Sequence, residues 1–288
     1  SYMRHLEFIT TPKHSALAYQ ARAAFIDETA TWSVAVKEIT KKKSLCSFLD
    51  SPNKEYSVHA QVFDPHFAGV AYEYSTQANA TSELSQGCDC LSYLEQGAEG
   101  TFLLPLSVVE CFENQFFLLE GARVAILGSG YLGLACAYEC ARSGVAEILI
   151  TDVQAEIAER NLEAFLNEFA RLRSQVVDMR QAKRGHVSFQ QAYDHPDYYF
   201  GAYDSARKRI ANSDVIICAT DQALPASFVS LLDFSHRPFI IDCMHEMIDS
   251  DLIPLAAIEQ CLILDAGAIW RHWGVLLAQF LTHSNKMI

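Results

Sequence analysis

The stretch RVAILGSGYLGLACAYECARSGVAEILITD, residues 123 to 152, decides the reading of the chain. RVAIL (123 to 127) is a short apolar run suited to a buried strand, YLGLACAYECARSG a helix closed by a glycine, and AEILIT (146 to 151) a second strand. Between the first strand and the helix, Gly128, Gly130 and Gly133 form the spacing G-x-G-x-x-G, with Ser129, Tyr131 and Leu132 between them. Gly128 permits the tight turn, Gly130 lets the backbone approach a pyrophosphate, and Gly133 lets the helix pack closely on the strand. The helix start then presents free N–H groups and a positive dipole end to phosphates.

Asp152 lies 19 residues after Gly133, ends the second strand and is followed by Val153. That is close to the spacing of a carboxylate that accepts hydrogen bonds from an adenosine ribose. A carboxylate there repels a 2′-phosphate, and Arg160 is too far along to clamp one. The stretch therefore favours NAD(H) over NADP(H). Further on, NSDVIICATD ends a strand in the small residues Ala219 and Thr220, which leave a cofactor room at the carboxyl edge where open sheets bind ligands.

Working outward, the second half alternates strands and helices. AEIAERNLEAFLNEFARLRSQ is a long helix with Ile157, Leu162, Phe165 and Phe169 on one side. HVSF (186 to 189) reads as a weak strand, YDSARKRIAN as a helix, SDVIICAT as a strand, PASFVSLL as a helix, PFIIDC as a strand, LIPLAAIEQ as a helix and CLILD as a strand. AIWRHWGVLLAQFLTH closes the chain as a helix. Apolar strands without alternating polarity imply a parallel sheet covered on both faces. Residues 118–288 are thus expected to form a doubly wound Rossmann dinucleotide-binding domain with a closing C-terminal helix.

Residues 3–117 are expected to form a mixed α/β domain for substrate or dimerisation. HLEFIT, WSVAVKEI, YSVHAQVF and GVAYEYS (69 to 75) read as strands, and SALAYQARAAFIDE and LPLSVVECFEN as helices. Ser1 and Tyr2 ahead of Met3 are left out of the fold argument. The whole is an α/β protein of two domains.

Composition narrows the class. The 288 residues are 50% hydrophobic and 20% charged, the balance of a packed globular protein. A net charge of −13, with no basic tract beyond Lys41, Lys42 and Lys43, argues against nucleic acid and against an anionic membrane surface. No window approaches the roughly eighteen apolar residues of a membrane span, and no basic-then-apolar leader opens the chain. A cytoplasmic protein is expected. The nine cysteines suit buried thiols, since Cys136, Cys140, Cys218 and Cys261 sit in apolar runs. Cys88 and Cys90 form a C-x-C pair with no second pair at zinc-site spacing, so no metal is expected. No G-x-S-x-G elbow points to a hydrolase.

The second half resembles the nucleotide domain of NAD(P)-dependent dehydrogenases, and the domain order resembles the shikimate and quinate dehydrogenase family. DAGAIWRHWG (265 to 274) is similar to that family's segment at the start of its last helix, with Trp273 standing where the family has a substrate-binding glutamine. TTPKHSALA (10 to 18) is similar to its Thr-x-Pro-x-Lys motif, which carries the catalytic lysine, although Lys13 comes one position early. The resemblance implies a two-domain dehydrogenase. A second resemblance, of RVAILGSGYLG, SGVAEILITD and the Asn161–Leu162 pair, is to adenylating enzymes that activate ubiquitin-like proteins and sulfur carriers. Gln154 stands where those enzymes have a second aspartate, and EAFLNEF replaces their arginine pair.

Candidate proton-transfer groups are few. Lys13 and His14 precede a helix for which Ser15 is a natural cap. His245, with Cys243 and Glu246 in IIDCMHEM, follows a buried strand at its carboxyl end and suits proton transfer near neutral pH; a solvent-facing or capping loop histidine is its other reading. His272 lies between two tryptophans. Tyr131 either approaches the pyrophosphate or nicotinamide end or covers the turn as a lid. The expectation is an NAD-dependent oxidoreductase acting on a small-molecule substrate, a hydroxy or amino acid, bound between the domains. Adenylation with ATP and dinucleotide binding without turnover are the alternatives. A homodimer through the aromatic segment FDPHFAGVAYEY (63 to 74) is also expected.

Overall fold

The computed structural model of the chain describes residues 3–50, 58–184 and 196–283. They fall into two units: Ser1–Ser82, Gln86–Cys111 and Ala266–Ile288 in the first, and Glu83–Ser85 with Phe112–Asp265 in the second.

In the first unit, short strands with one or both faces buried build a mixed sheet. Its members are β1 (Arg4–Thr10), β2 (Trp32–Glu38), β3 (Ala60–Phe63), β4 (Gln77–Ala78), β5 (Cys90–Tyr93) and β6 (Ala98–Thr101), in the order β2-β1-β3-β5-β6-β4. β1 runs parallel to β2 and β3, whereas β5 is antiparallel to β3 and β6. The helices that precede residue 115, in chain order, are α1 (Ser15–Glu28), α2 (Lys42–Asp50), α3 (Ala68–Tyr74), α4 (Ala80–Ser85) and α5 (Leu104–Asn114), with Glu83–Ser85 of α4 and Phe112–Asn114 of α5 counted in the second unit. On one side of β1 and β3, Ile9, Phe63, Phe67, Leu45, Ala71 and Leu91 form a core cluster.

The segment 69–75 is a helix, not a strand. Val70, Tyr72 and Tyr74 alternate with Ala71 and Glu73 as in a strand, but a 3-10 turn at Pro65–Phe67 leads directly into α3, where Ala68 and Ala71, three apart, are the buried positions. Within the segment 63–74, Phe63 and Phe67 are core residues, while His66, Val70, Tyr72 and Tyr74 are half-buried. The sequence reading also passed over α2, α4, β4, β5 and β6.

In the second unit, β7 (Arg123–Leu127), β8 (Glu147–Asp152), β9 (Asp197–Ala202), β10 (Val215–Cys218), β11 (Phe239–Asp242) and β12 (Ile263–Leu264) form an all-parallel sheet ordered β12-β11-β10-β7-β8-β9. This is the doubly wound order, which reverses direction between β7 and β10. β10 and β11 are buried throughout, which explains their unbroken apolar runs. The helices are α6 (Tyr131–Arg142), α7 (Ala155–Arg184), α8 (Arg207–Ala211), α9 (Ala226–Val229) and α10 (Ile253–Ile258). β9 was not anticipated: DYYFGA is half exposed and contains a glycine. The weak strand expected at 186–189 lies outside the described residues.

The last helix, α11 (Ala266–His283), belongs with the first unit and not, as the sequence suggested, with the nucleotide domain. It packs on α1, and the reason is steric and aromatic. Phe8 of β1 meets Trp273 edge-on at 5.3 Å and Trp270 at 6.4 Å, and both tryptophans are fully buried. A side chain at Gly274 would begin 2.1 Å from the Ala21 carbonyl oxygen, so the two helix backbones nearly touch. Among the described residues no helix is long and apolar enough to cross a membrane.

Two stability predictions arise here. Gly274→Ala must push α11 off α1, and overpacking of this kind costs about 1–3 kcal/mol; its denaturant midpoint should fall accordingly, and an unchanged midpoint would refute the close packing. Asp89 accepts the Leu103 and Leu104 N–H groups at 2.9 and 2.8 Å, fixing the start of α5, and burial raises its pKa to about 7. A carboxyl whose folded pKa lies above its unfolded value stabilises most below the unfolded value. Its contribution is therefore lost as pH rises from about 4 to about 7, at up to ~1.4 kcal/mol per unit, and Asp89→Asn should flatten the melting-temperature profile across that window.

Candidate functional site

The glycine turn forms as its spacing requires. Gly128 takes φ +105°, where a side chain is strained, and its N–H donates to Thr151 O of β8 at 3.0 Å. A Cβ at Gly133 would lie 2.0 Å from the Gly128 carbonyl oxygen, so only glycine lets α6 start this close to the turn. Gly130 caps α6 without any side chain, and a Cβ built on it meets nothing within 4 Å. The three glycines are thus divided between making the turn and leaving it open. Leu132 is buried, whereas Tyr131 is exposed.

Asp152 is tied into this turn. Its Oδ2 accepts the Ser129 N–H at 3.1 Å and the Ser129 hydroxyl at 2.5 Å, and its Oδ1 accepts the Val153 N–H at 2.8 Å. Asn161 of α7 donates to Ser129 Oγ at 2.9 Å. Ser129 is completely buried, while Asp152 is half-buried and keeps an open side. Val153 is exposed beside it. Sequence reasoning named Ser129 and Asp152 separately; their direct bond and the role of Asn161 come from the structure.

Ala219 and Thr220 complete the edge. Ala219 N–H donates to Leu127 O at 2.8 Å, which joins the ends of β10 and β7 where the strand order reverses. Thr220 sits against Gly128, its backbone nitrogen 3.2 Å from where a Gly128 Cβ would be. The second unit therefore gathers Gly128, Ser129, Gly130, Tyr131, Leu132, Gly133, Asp152, Val153, Ala219 and Thr220 along one carboxyl edge.

His245 also lies at that end of the sheet, but it does not face solvent. It is 7% exposed, and its Nδ1 sits 3.0 Å from Asp242 Oδ1. Asp242 further accepts the Met244 and His245 N–H groups, each at 3.1 Å, and the Ser250 hydroxyl at 2.7 Å. Cys218, Asp242 and His245 bring ligating atoms within 4.8 Å of one another. The carboxylate is already saturated by this turn, so the group reads as the closure of the β11 loop. Burial pushes the Cys218 thiol well above its ordinary range. Cys243 is raised too, first by its hydrogen bond with Cys136 and then by burial. Cys88 and Cys90 are buried core thiols.

In the first unit, Lys13 and His14 occupy a 3-10 turn (Pro12–His14) between β1 and α1. Lys13 is exposed and His14 is 1% exposed. Ser15 is the first residue of α1, and no side chain caps that helix. The feature the sequence did not reveal is Asp64, buried at the end of β3, whose Oδ2 lies 2.7 Å from His14 Nδ1. Burial raises the Asp64 carboxyl, but the hydrogen bond and charge of His14, the His66 N–H and the Thr11 hydroxyl outweigh it and leave it below the ordinary carboxylate value. His272 pairs with Glu110 at 2.6 Å, and Trp273 is sealed in the core.

A cavity of about 390 Å³ opens at the other end of the second unit's sheet, lined by Phe117, Leu118, Asp214, His236, Arg237 and Phe239. Its position, at the strand starts, is opposite to where doubly wound sheets hold ligands.

Solved structures share the architecture. Shikimate 5-dehydrogenase from Listeria monocytogenes, determined with shikimate and NAD, matches with a TM-score of 0.68 and 16% identity over 98% of this chain and 92% of that one. 5-Ketofructose reductase of a Gluconobacter strain matches with 0.68 and 14% over 96% and 92%. Shikimate 5-dehydrogenase from Thermus thermophilus, with NADP(H) and shikimate, matches with 0.67 and 12% over 97% and 93%. At these identities the likeness is one of fold. No family model matches the sequence, and no curated sequence matches it.

The glycines give a paired prediction. Gly133→Ala should lower unfolding stability by more than about 2 kcal/mol, as an unrelieved core clash does. Gly130→Ala should leave it within about 0.5 kcal/mol of wild type, as at unconstrained sites. Equal effects in chemical denaturation would contradict the geometry.

Proposed function

We propose that the chain is an NAD(H)-dependent oxidoreductase acting on a small polar substrate, a hydroxy or amino acid. The observation that carries this reading is the glycine turn of the second unit: a helix start with an uncapped, side-chain-free Gly130 in open space, beside a strand-end carboxylate held by Ser129. The α6 N–H groups suit a pyrophosphate. The open side of Asp152 suits the hydroxyls of an adenosine ribose, while Ala219 and Thr220 leave room along the strand ends. These residues fit a dinucleotide, which when bound would supply or accept a hydride.

The fold neighbours include one structure with NAD and one with NADP(H), so the fold alone does not choose. In this chain the choice falls to Asp152, whose charge opposes a 2′-phosphate, and Arg160 is exposed on α7 beyond it. That favours NAD(H). The proton that accompanies the hydride is assigned to one of Lys13, His14 and His245. A reducing, cytoplasmic setting agrees with nine cysteines held as thiols, most of them buried.

Calorimetric titration with NADH, NADPH and ATP with magnesium tests the reading. NADH should bind more tightly than NADPH, and Asp152→Ala should weaken NADH by about 1–3 kcal/mol, the size of lost hydrogen bonds to a charged group. Gly130→Ala should weaken it while the fold persists. Binding of ATP in place of NADH would replace the reading with adenylation. NADH binding without oxidation of any member of a hydroxy- and amino-acid panel would make the protein a dinucleotide sensor.

A further inference from the structure

We propose that His14 is the proton-transfer residue of this protein and that Asp64 is its positioning partner. The proposal rests on the oxidoreductase reading and assigns its proton step.

Two loops of the same plan meet here. β1 and β3 lie side by side and parallel, with Ile9 opposite Phe63. Each is followed by a residue preceding proline, Thr11 or Asp64, then by a 3-10 turn and a helix. Asp64 Oδ2 accepts from the Thr11 hydroxyl at 2.9 Å, the Thr11 N–H at 3.2 Å and the Thr10 hydroxyl at 3.3 Å, besides the His14 ring at 2.7 Å. Its Oδ1 accepts the His66 N–H at 2.9 Å.

A carboxylate among so many donors is itself an acceptor only. The ring nitrogen facing it, Nδ1, must carry a proton, and the exchangeable position is therefore Nε2. Nε2 is buried and has no hydrogen-bond partner among the described residues. Leaving a buried ring nitrogen unpaired costs stability, and a ligand hydroxyl or carbonyl oxygen would recover it.

The contrast with His245 is informative. Asp242 and His245 are three residues apart and their contacts close one turn. His14 and Asp64 are 50 residues apart, on separate loops, and no local turn requires their meeting. The Asp64 seat fixes both the tautomer and the direction of the ring, while the Trp270 ring stands 5.9 Å away on one side.

In the reducing direction, the Nε2–H bond breaks and an O–H bond forms on the substrate's carbonyl oxygen. The electron pair that reduces the carbon would come with a hydride, the chemistry a dinucleotide would supply if bound. His14 is left as a neutral imidazole with Nδ1–H still on Asp64, and it regains its proton from solvent. Oxidation of a hydroxyl runs the same transfer backwards.

Diethyl pyrocarbonate, which acylates imidazole nitrogen, tests this without a substrate. Peptide mapping by mass spectrometry should show His14 modified, more slowly than the exposed His236 and His283 because its ring is buried. Asp64→Asn should slow modification of His14 at least tenfold and leave both reference histidines unchanged, and Asp64→Glu should restore part of the rate. If Asp64→Asn fails to fold by circular dichroism, Thr11→Val, which removes one donor from the same seat, should slow His14 selectively. A His14 that stays unmodified while His236 and His283 react fully is a sealed core residue, and the proposal fails. An unchanged rate in the Asp64 and Thr11 variants removes Asp64 from the role. NADH titration of the same samples separates the two ideas: wild-type protein that does not bind NADH sinks the oxidoreductase reading and leaves the reactivity of His14 as measured.

Discussion

The approach of Gly133 to the carbonyl of Gly128 is the constraint on which the second unit depends. At 2.0 Å from that oxygen to a would-be Cβ, no other residue type fits without moving α6. The tight turn keeps the helix start next to the β7 end, and β7 is the strand from which the sheet builds in both directions. Everything gathered at the carboxyl edge inherits its position from this contact: Ser129 in the turn, Asp152 one strand over, and Thr220 against Gly128.

A second theme is the use of carboxylates at strand ends as joints. Asp152 joins the end of β8 to the glycine turn, Asp64 joins the end of β3 to the β1 loop, and Asp89 joins the start of β5 to α5. Each accepts backbone N–H or hydroxyl groups from a loop distant in sequence, which orders that loop by satisfying its polar groups. The electrostatic consequences differ. Many donors and a histidine depress Asp64, whereas Asp89, with two N–H donors in full burial, is raised.

The nucleotide half was legible because several levels of signal coincide there: apolar runs of strand length, a helix with its closing glycine, and turn chemistry at fixed offsets. The alternation that made Val70, Tyr72 and Tyr74 look like a strand carried no such agreement, since the proline turn before them already favours a helix. β5 and β6, only four residues each, include Ser92, Glu99 and Gly100, and no periodicity marks them. In the site, the glycines and Asp152 could be named from spacing, and Thr220 as a small residue at a strand end. Asp64 could not, because its partner is 50 residues away; the available hint was the repeated plan of strand, polar residue and proline at Thr11–Pro12 and Asp64–Pro65. Burial of His245 was equally hidden, although an aspartate three positions before it signals a closed turn.

The return of α11 to the first unit has a consequence for how the molecule is made. The second unit is nearly continuous in sequence, whereas the first is assembled from segments on both sides of it. On a ribosome, the second unit can complete its sheet while β1, Phe8 and α1 still lack the helix that covers them. The apolar face that will receive Trp270 and Trp273 therefore stays uncovered until α11 has emerged, and during that interval it is the surface on which a chaperone would act.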